Sequence, residues 1–153
     1  MYKRQFGGSA ATDVTVVDDA TITCTTPPGP AGAFVAVAVV NANGTATHAT
    51  GFAYHPEPTL ASVAPANGTS RGGTAVTLTG TGFVNNGAGT PAVTFGGVAA
   101  VGVAVVDDTT ITCATPPGTA GVSVDVVVTN ANGTATLPAA GAIAVTAGSG
   151  WKP

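Results

Sequence analysis

Two histidines, His48 and His55, are the first residues of this 153-residue chain that one would test for catalysis. Neither has a serine or cysteine at a spacing typical of nucleophilic catalysis. Two histidines without a Cys-x-x-Cys motif also fall short of the four nitrogen and sulfur ligands that a zinc site needs. We therefore interpret both histidines as surface residues.

Two pairs of neighbouring carboxylates, Asp18-Asp19 and Asp107-Asp108, are the next candidates, because such pairs serve in acid–base catalysis and in calcium binding. Neighbouring residues of a strand point to opposite faces, however, and aspartate side chains commonly accept hydrogen bonds from turn backbone. The alternating aspartates of a calcium loop do not occur in the sequence. We predict that both pairs stabilise turns, with weak calcium binding as the alternative.

The aspartate pairs belong to a repeat with a spacing of 89 residues. Residues 6–47 align with residues 95–136 without a gap, and 30 of the 42 positions are identical. A fixed period of this kind indicates one folding unit that is used more than once. His48 becomes Leu137 in the second copy, and a catalytic histidine would not be exchanged for leucine.

Cysteines and Asn-Gly-Thr triplets also follow the repeat. Cys24 and Cys113 are equivalent positions, so they should lie too far apart for a disulfide, and we predict that each acts as a small apolar residue on a core strand. Asn43, Asn67 and Asn132 each begin an Asn-Gly-Thr sequence, which matches the N-glycosylation acceptor pattern. We predict turns at all three positions, with glycosylation as the alternative.

The composition limits the classes of function. Hydrophobic residues make up 44% of the chain and charged residues 7%, with a formal net charge of −3. The four cations are too few to neutralise a phosphate backbone, so we expect no nucleic-acid partner. No run approaches 18 consecutive apolar residues, so we expect no insertion into a membrane.

From Pro58 onwards the second copy has short runs rich in valine and threonine between turn residues, which indicates an antiparallel sandwich. Phe83 should enter the core. Asn132-Gly133 should form the centre of a type I′ hairpin turn. The expected strands are 60–64, 74–79, 92–95, 101–106, 110–113, a long strand that carries Val122, Val124, Val126 and Val128 on one face, and a last strand over 134–145.

The first copy has no counterpart of residues 58–94, so we predict a truncated domain at 6–55, a complete domain at 56–147 and a linker to a missing downstream region at 148–153. Residues 2–5 read Tyr-Lys-Arg-Gln, which TATAAGAGACAG encodes, and that string resembles the end of a sequencing adapter. We therefore interpret residues 1–5 as an artefact, the alternative being a genuine start.

A resemblance to a known family rests on many short motifs taken together. They are Pro65-x-x-Gly68, Arg71-Gly72-Gly73-Thr74, Gly80-x-Gly82-Phe83, Val93-x-Phe95-Gly96-Gly97, Cys113-x-x-Pro116-Pro117 and the valine-rich strand that precedes Gly133. In these the chain resembles the IPT/TIG family of immunoglobulin-like domains. The resemblance covers 58–145, and 6–54 as the later part of another domain, and implies an all-β antiparallel sandwich.

The resemblance implies no catalytic, cofactor-binding or metal-binding residue, so we predict none. It implies a spacer and interaction module of a larger secreted or cell-surface bacterial protein, whose partners would be a protein or glycan and the adjacent domains of the same parent chain. Tyr54 to Pro58 contains two prolines and should form a stiff linker. The alternative is an accessory domain of a secreted carbohydrate-active enzyme; a Rel-like DNA-binding module would need more cations.

Overall fold

The computed structural model describes residues 3–139 and 143–147, and the chain divides into two compact units, Met1–Pro56 (unit 1) and Glu57–Pro153 (unit 2). The predicted all-β fold is confirmed, since every regular element of the described residues is a strand. No helix in these ranges is long and apolar enough to cross a membrane. Trp151 and the predicted linker at 148–153 lie outside the described residues.

Unit 2 forms a sandwich that contains two four-stranded sheets. Its strands are β7 (Thr59–Ala64), β8 (Asn67–Thr69), β9 (Ala75–Thr81), β10 (Ala92–Phe95), β11 (Val98–Ala99), β12 (Val101–Asp107), β13 (Thr110–Ala114), β14 (Ser123–Val124), β15 (Val126–Asn130), β16 (Gly133–Leu137) and β17 (Ile143–Thr146). They form two four-stranded sheets, β12-β13-β9-β7 and β11-β10-β15-β16, and a small third sheet, β14-β17-β8.

The core of unit 2 lies between the two four-stranded sheets. Strict alternation buries Val76 and Leu78 on β9 and Ile111 and Cys113 on β13, as predicted. Phe83 follows β9 and has no exposed surface. Full burial of a side chain of this size stabilises a fold by about 1.5–3 kcal/mol, so Phe83 is a substantial contributor to the core of this unit.

Unit 1 contains only the later strands of the same sandwich. They are β1 (Lys3–Phe6), β2 (Ser9–Ala10), β3 (Thr12–Val16), β4 (Ile22–Thr25), β5 (Phe34–Asn41) and β6 (Gly44–Ala53). One sheet has the order β2-β1-β5-β6, and β3 pairs with β4 alone. In unit 2 the equivalent of β4 also pairs with β9, for which unit 1 has no equivalent.

The core of unit 1 is open as a consequence. Phe6 is the only buried hydrophobic residue among its described residues, and the valines of β5 are half-buried. Arg4 is buried as well, at the place that Val93 occupies in unit 2. Its Nε and Nη2 have no hydrogen-bond partner within the described residues, which is costly for a charged group. Arg4 therefore fits this core position poorly.

Residues 3–5 take part in the fold although we predict that an adapter encodes them. β1 begins at Lys3, and its backbone pairs with β5 through Arg4↔Val39 and Gln5↔Ala38. A strand pairs through backbone groups that every residue except proline possesses, so a foreign sequence is able to complete it. The origin of residues 1–5 stays a prediction.

The hairpin prediction was wrong by one residue. Asn130 pairs with Gly133, so the two loop residues are Ala131 and Asn132. Asp13 and Asn86 are the only non-glycine residues with positive φ in the described ranges, so the turn is not type I′. The Oδ1 atom of Asn130 accepts a hydrogen bond from the Asn132 backbone N at 2.9 Å, and this Asx turn fixes the loop instead.

Two strands predicted as continuous are each divided. The valine-rich strand breaks at Asp125 into β14 and β15, which belong to different sheets, and Val122 is exposed at 45%. The last strand breaks after Leu137, where Pro138 has no backbone N–H to donate. Residues 140–142 of that prediction lie outside the described residues. Unit 1 has no proline at the equivalent place, and β6 runs unbroken from Gly44 to Ala53.

A bulge occurs at the same place in both units. The register shifts between Thr12 and Thr15 where β3 pairs with β4, and between Val101 and Ala104 where β12 pairs with β13. The residues within these shifts include Asp13 with φ of 49° and Gly102 with φ of 61°. The edge strand thus changes direction at one repeat position whether the residue is aspartate or glycine.

Candidate functional site

The residues that are able to do chemistry do not form a cluster. Within residues 3–139 and 143–147, no group of three or more histidine, cysteine, aspartate or glutamate side chains is placed to hold a metal ion. His48 lies exposed on β6 and His55 is exposed in the linker, which agrees with their interpretation as surface residues.

Asp18 and Asp107 cap turns, as predicted. The Oδ1 atom of Asp18 accepts from the Ala20 backbone N at 2.8 Å, and Oδ1 of Asp107 accepts from both the backbone N and the Oγ1 of Thr109 at 2.8 Å. The hydrogen bond donated by Ala20 lowers the pKa of Asp18, and the hydrogen bonds donated by Thr109 lower the pKa of Asp107. Both side chains therefore stay ionised at neutral pH and serve local structure.

Asp108 makes longer-range contacts that the sequence did not reveal. Its carboxylate accepts hydrogen bonds from the backbone N atoms of Gly82, Val84 and Asn85 at 2.9–3.2 Å. The bonds from Asn85 and Val84 lower the pKa of Asp108. The side chain thus attaches the loop after β9 to the turn before β13. Asp19, the equivalent in unit 1, has no such loop to hold.

The two cysteines are unbridged thiols. Cys113 is buried on β13, and burial raises the pKa of its thiol to about 11. A protonated, buried thiol is a poor nucleophile and a poor metal ligand. Cys24 is half-buried on β4, since its unit lacks the strands that cover Cys113.

The three Asn-Gly-Thr sequences have different environments. Asn43 and Asn132 lie in turns, as predicted, but Asn67 begins β8, which pairs in parallel with β17, so the turn prediction at Asn67 was wrong. The Nδ2 atom of Asn132 donates to the backbone oxygens of Asn85 and Asn86 at 3.4 and 3.3 Å. Asn43 is exposed.

Exposed aromatic side chains are scarce in the part of the chain that the structure describes. Phe34 is 72% exposed, whereas Phe6, Phe83 and Phe95 are buried and the other two described aromatic residues are half-buried. A glycan-binding platform presents several aromatic rings on one face. The described residues contain no such platform.

One cavity, of about 220 Å³, lies within unit 2. Phe95, Pro116, Ile143 and Val145 form apolar walls, and Gly68, Gly96 and Gly118 add backbone surface. The cavity reaches the surface near Val98, which is 51% exposed. Its size and mixed lining are suited to one small ring rather than to an extended ligand.

Comparison with known proteins agrees with the fold. A family model described as IPT/TIG domain matches residues 3–54 and 58–142. No curated protein is similar enough to match the chain.

Among solved structures, the chain is similar to the extracellular region of Plexin A4, with 22% identity, a TM-score of 0.55, and coverage of 95% of this chain and 13% of that one. It is also similar to SGBP-B from a complex xyloglucan utilization locus in Bacteroides uniformis, with 19% identity, a TM-score of 0.48, and coverage of 93% and 41%. The chain therefore spans less than half the length of either protein.

Proposed function

The chain belongs to the IPT/TIG domain family, and from that premise we propose that it is a non-catalytic spacer and interaction module in a larger secreted or cell-surface bacterial protein. The observation that carries the proposal is the tandem arrangement, because one family model matches twice with only residues 55–57 between the matches. A repeated module of this kind positions other domains and offers the same surface more than once.

The short connection between the matches supports a spacer. It contains Pro56, and Pro58 follows at the start of unit 2. Proline fixes its own φ and restricts the residue before it, so a connection with two prolines and no glycine has few conformations. A stiff connection holds neighbouring domains at a set distance, which a flexible linker does not do.

The surface supports interaction with a protein or a glycan. Threonine is frequent on the solvent-facing side of the strands, charged residues are few, and β12 forms an unpaired edge of its sheet. An unpaired edge presents backbone N–H and C=O groups to a partner strand. We propose the extracellular or cell-surface location from the family resemblance and from this polar, weakly charged surface.

The spacer proposal is tested by the width of a distance distribution. Spin labels would be attached at Thr47→Cys and Thr90→Cys, both exposed positions, in a Cys24→Ser background. We expect a narrow distribution for the natural connection and a broad one when two glycines are inserted between His55 and Pro56. A natural chain as broad as the insertion variant would contradict the proposal.

The alternative, an accessory domain of a secreted carbohydrate-active enzyme, has no observation of the described residues in its favour. Such an accessory domain is expected to present a row of exposed aromatic side chains. Phe34 is the single strongly exposed aromatic residue in the described ranges. Binding of soluble glucans to the intact chain in a glycan array would favour this alternative.

A further inference from the structure

The cavity of unit 2 has an exact counterpart position in unit 1, which backbone hydrogen bonds identify. The Tyr54 N donates to Ala33 O at 2.9 Å, and the Val145 N donates to Val122 O at the same distance. Ala33 and Val122 are 89 residues apart, the period of the repeat. Tyr54 and Val145 therefore occupy the same place in the two units.

A second pair of backbone hydrogen bonds, made to the carbonyl oxygens, also shows that Tyr54 and Val145 are equivalent. Gly32 N donates to Tyr54 O at 2.6 Å, and Gly121 N donates to Val145 O at 2.7 Å. The strand pairing gives the same correspondence two residues earlier. Val35 pairs with Phe52 in unit 1, and Val124, which follows Val35 by 89 residues, pairs with Ile143 in unit 2. Phe52 is thus the counterpart of Ile143.

In unit 1 this place is filled by aromatic rings. Phe52 packs edge-to-face on Phe6, with ring centroids 5.2 Å apart, and Tyr54 packs edge-to-face on Phe52 at 5.0 Å. The Tyr54 hydroxyl donates a hydrogen bond to Pro27 O at 2.6 Å. The Tyr54 ring also lies so close to Gly29 that a Cβ on this glycine would collide with it.

In unit 2 the surroundings of these rings are kept, while the rings themselves are replaced. Phe95, Pro116 and Gly118 are the counterparts of Phe6, Pro27 and Gly29, and all three line the cavity. Ile143 and Val145 are shorter than the phenylalanine and tyrosine that they replace. No donor among the described residues forms a hydrogen bond with Pro116 O.

The dimensions suit a single ring. The cavity measures about 220 Å³, whereas an apolar protein cavity of about 150 Å³ already binds benzene. Pro117 and Thr119, which also line it, are exposed, so a ring has a route from solvent. Pro116 O is the counterpart of Pro27 O, which accepts the Tyr54 hydroxyl in unit 1, and apolar walls with a few polar groups are the arrangement that orients a small ligand.

We propose that this cavity binds the phenol ring of a tyrosine side chain presented by a partner polypeptide, with its hydroxyl donating to Pro116 O and its ring lying against Gly118. The occupant is a tyrosine because unit 1 holds a tyrosine in the same backbone surroundings. Unit 1 fills its site from within, and unit 2 leaves its site for a partner. The proposal does not depend on the spacer function, since a spacer requires no cavity.

The test uses the full chain and nuclear magnetic resonance titrations with p-cresol, the tyrosine side-chain analogue, and with toluene, which lacks the hydroxyl. We expect saturable shifts at the amides of Gly118, Thr119 and Val145, and affinity for toluene at least about threefold weaker because it makes no hydrogen bond. Equal affinities would overturn the role of Pro116 O, and unsaturable or scattered shifts would overturn the site.

The peptide source is tested separately with N-acetyl-tyrosinamide and N-acetyl-phenylalaninamide. Preferential binding of the tyrosine compound at the same amides supports a polypeptide partner. Binding of p-cresol without binding of N-acetyl-tyrosinamide would overturn that partner, and so would binding of a glucose oligomer at these amides in place of both.

Matched variants exchange the two units. The double variant Ile143→Phe and Val145→Tyr copies the unit 1 arrangement into unit 2, and it should abolish p-cresol binding there. The reverse variant, Tyr54→Val with Phe52→Ile, should create a second p-cresol site with shifts at Gly29. If either variant does not fold, the p-cresol and toluene titrations of the natural chain still decide, because equal affinities or unsaturable shifts there would overturn the proposal.

Discussion

Units 1 and 2 share 30 of 42 aligned positions, yet only unit 2 buries a full cluster of apolar side chains among the described residues. Ile111 has no exposed surface, whereas Ile22, its counterpart, is half-buried. In unit 2, β9 pairs with β13 and β7 pairs with β9, whereas unit 1 has no equivalent of either strand. An identical residue thus contributes differently according to strands that are distant in sequence.

The two units share the structure that local sequence determines and differ in the structure that distant strands determine. Hairpin β5–β6 forms in unit 1 with the same Asx turn as β15–β16, since Asn41 Oδ1 accepts from Asn43 N at 2.8 Å. Turns and neighbouring strand pairs therefore follow from the repeat alone. Burial, in contrast, requires the strands that precede the repeat.

The largest expected effect comes from separating the units. A polypeptide of residues 56–147 should unfold cooperatively, with a free energy of unfolding within the usual range of about 5–15 kcal/mol. A polypeptide of residues 1–55 should show no cooperative transition, because its core is open. Urea unfolding followed by circular dichroism measures both. A protease-resistant fragment of the intact chain that includes residues 6–54 would contradict the predicted difference in stability between the two units.

A smaller effect is expected from one substitution made at both repeat positions. Ile111→Ala should reduce the stability of unit 2 by about 2–5 kcal/mol, because it leaves a cavity in a closed core. Ile22→Ala should cost less than about 1 kcal/mol, because solvent already reaches this side chain. Residue-resolved hydrogen exchange on the full chain measures each unit separately. Equal losses of protection would show that unit 1 has a closed core after all.

The smallest expected effect is a gain in the stability of unit 1. Arg4→Val gives unit 1 the residue that unit 2 has at this core position and removes two buried nitrogens that lack partners. An unsatisfied buried polar group costs about 1–3 kcal/mol, so protection of the β1 amides against hydrogen exchange should rise. Val93→Thr is the matched change in unit 2. It introduces a polar group at the equivalent core position, so protection there should fall. Unchanged or lower protection in Arg4→Val would show that the guanidinium is well accommodated.

Periodicity predicted most strands of unit 2 and the residues that face its core. Val76, Leu78, Ile111 and Cys113 alternate with polar residues, so one face of each strand was already distinct in the sequence. The fold family was also predictable, because several short motifs coincide over the whole domain.

Non-local pairing was not predictable from the sequence. β14 and β15 read as one strand, because a change of sheet partner at Asp125 leaves the alternation of valines intact. The pairing of β8 with β17 joins residues almost 80 positions apart, and Asn-Gly-Thr at Asn67 has the composition of a turn. The contacts of Asp108 are similarly long in range.

The sequence contains one signal of the candidate cavity. Phe52 and Tyr54 correspond to Ile143 and Val145 at a spacing of 91 residues, two more than the repeat period, and large rings become short aliphatic chains there while Pro116 and Gly118 match Pro27 and Gly29. Loss of side-chain volume at conserved surroundings indicates a void. The backbone hydrogen bonds of Tyr54 and Val145 confirm this correspondence.

The bulge at Asp13 and Gly102 has a consequence for arrays of such modules. Adjacent repeats with nearly identical strands risk joining a strand of one to the edge of the next while they fold. Charged side chains, especially lysine, are one common protection of a strand edge, but this chain has only two lysines. A bend in the exposed edge at the same position of both units shortens the straight stretch of strand that a sister strand would pair with. We therefore expect backbone shape to limit mispairing between neighbouring repeats, a role that charged residues have on other edge strands.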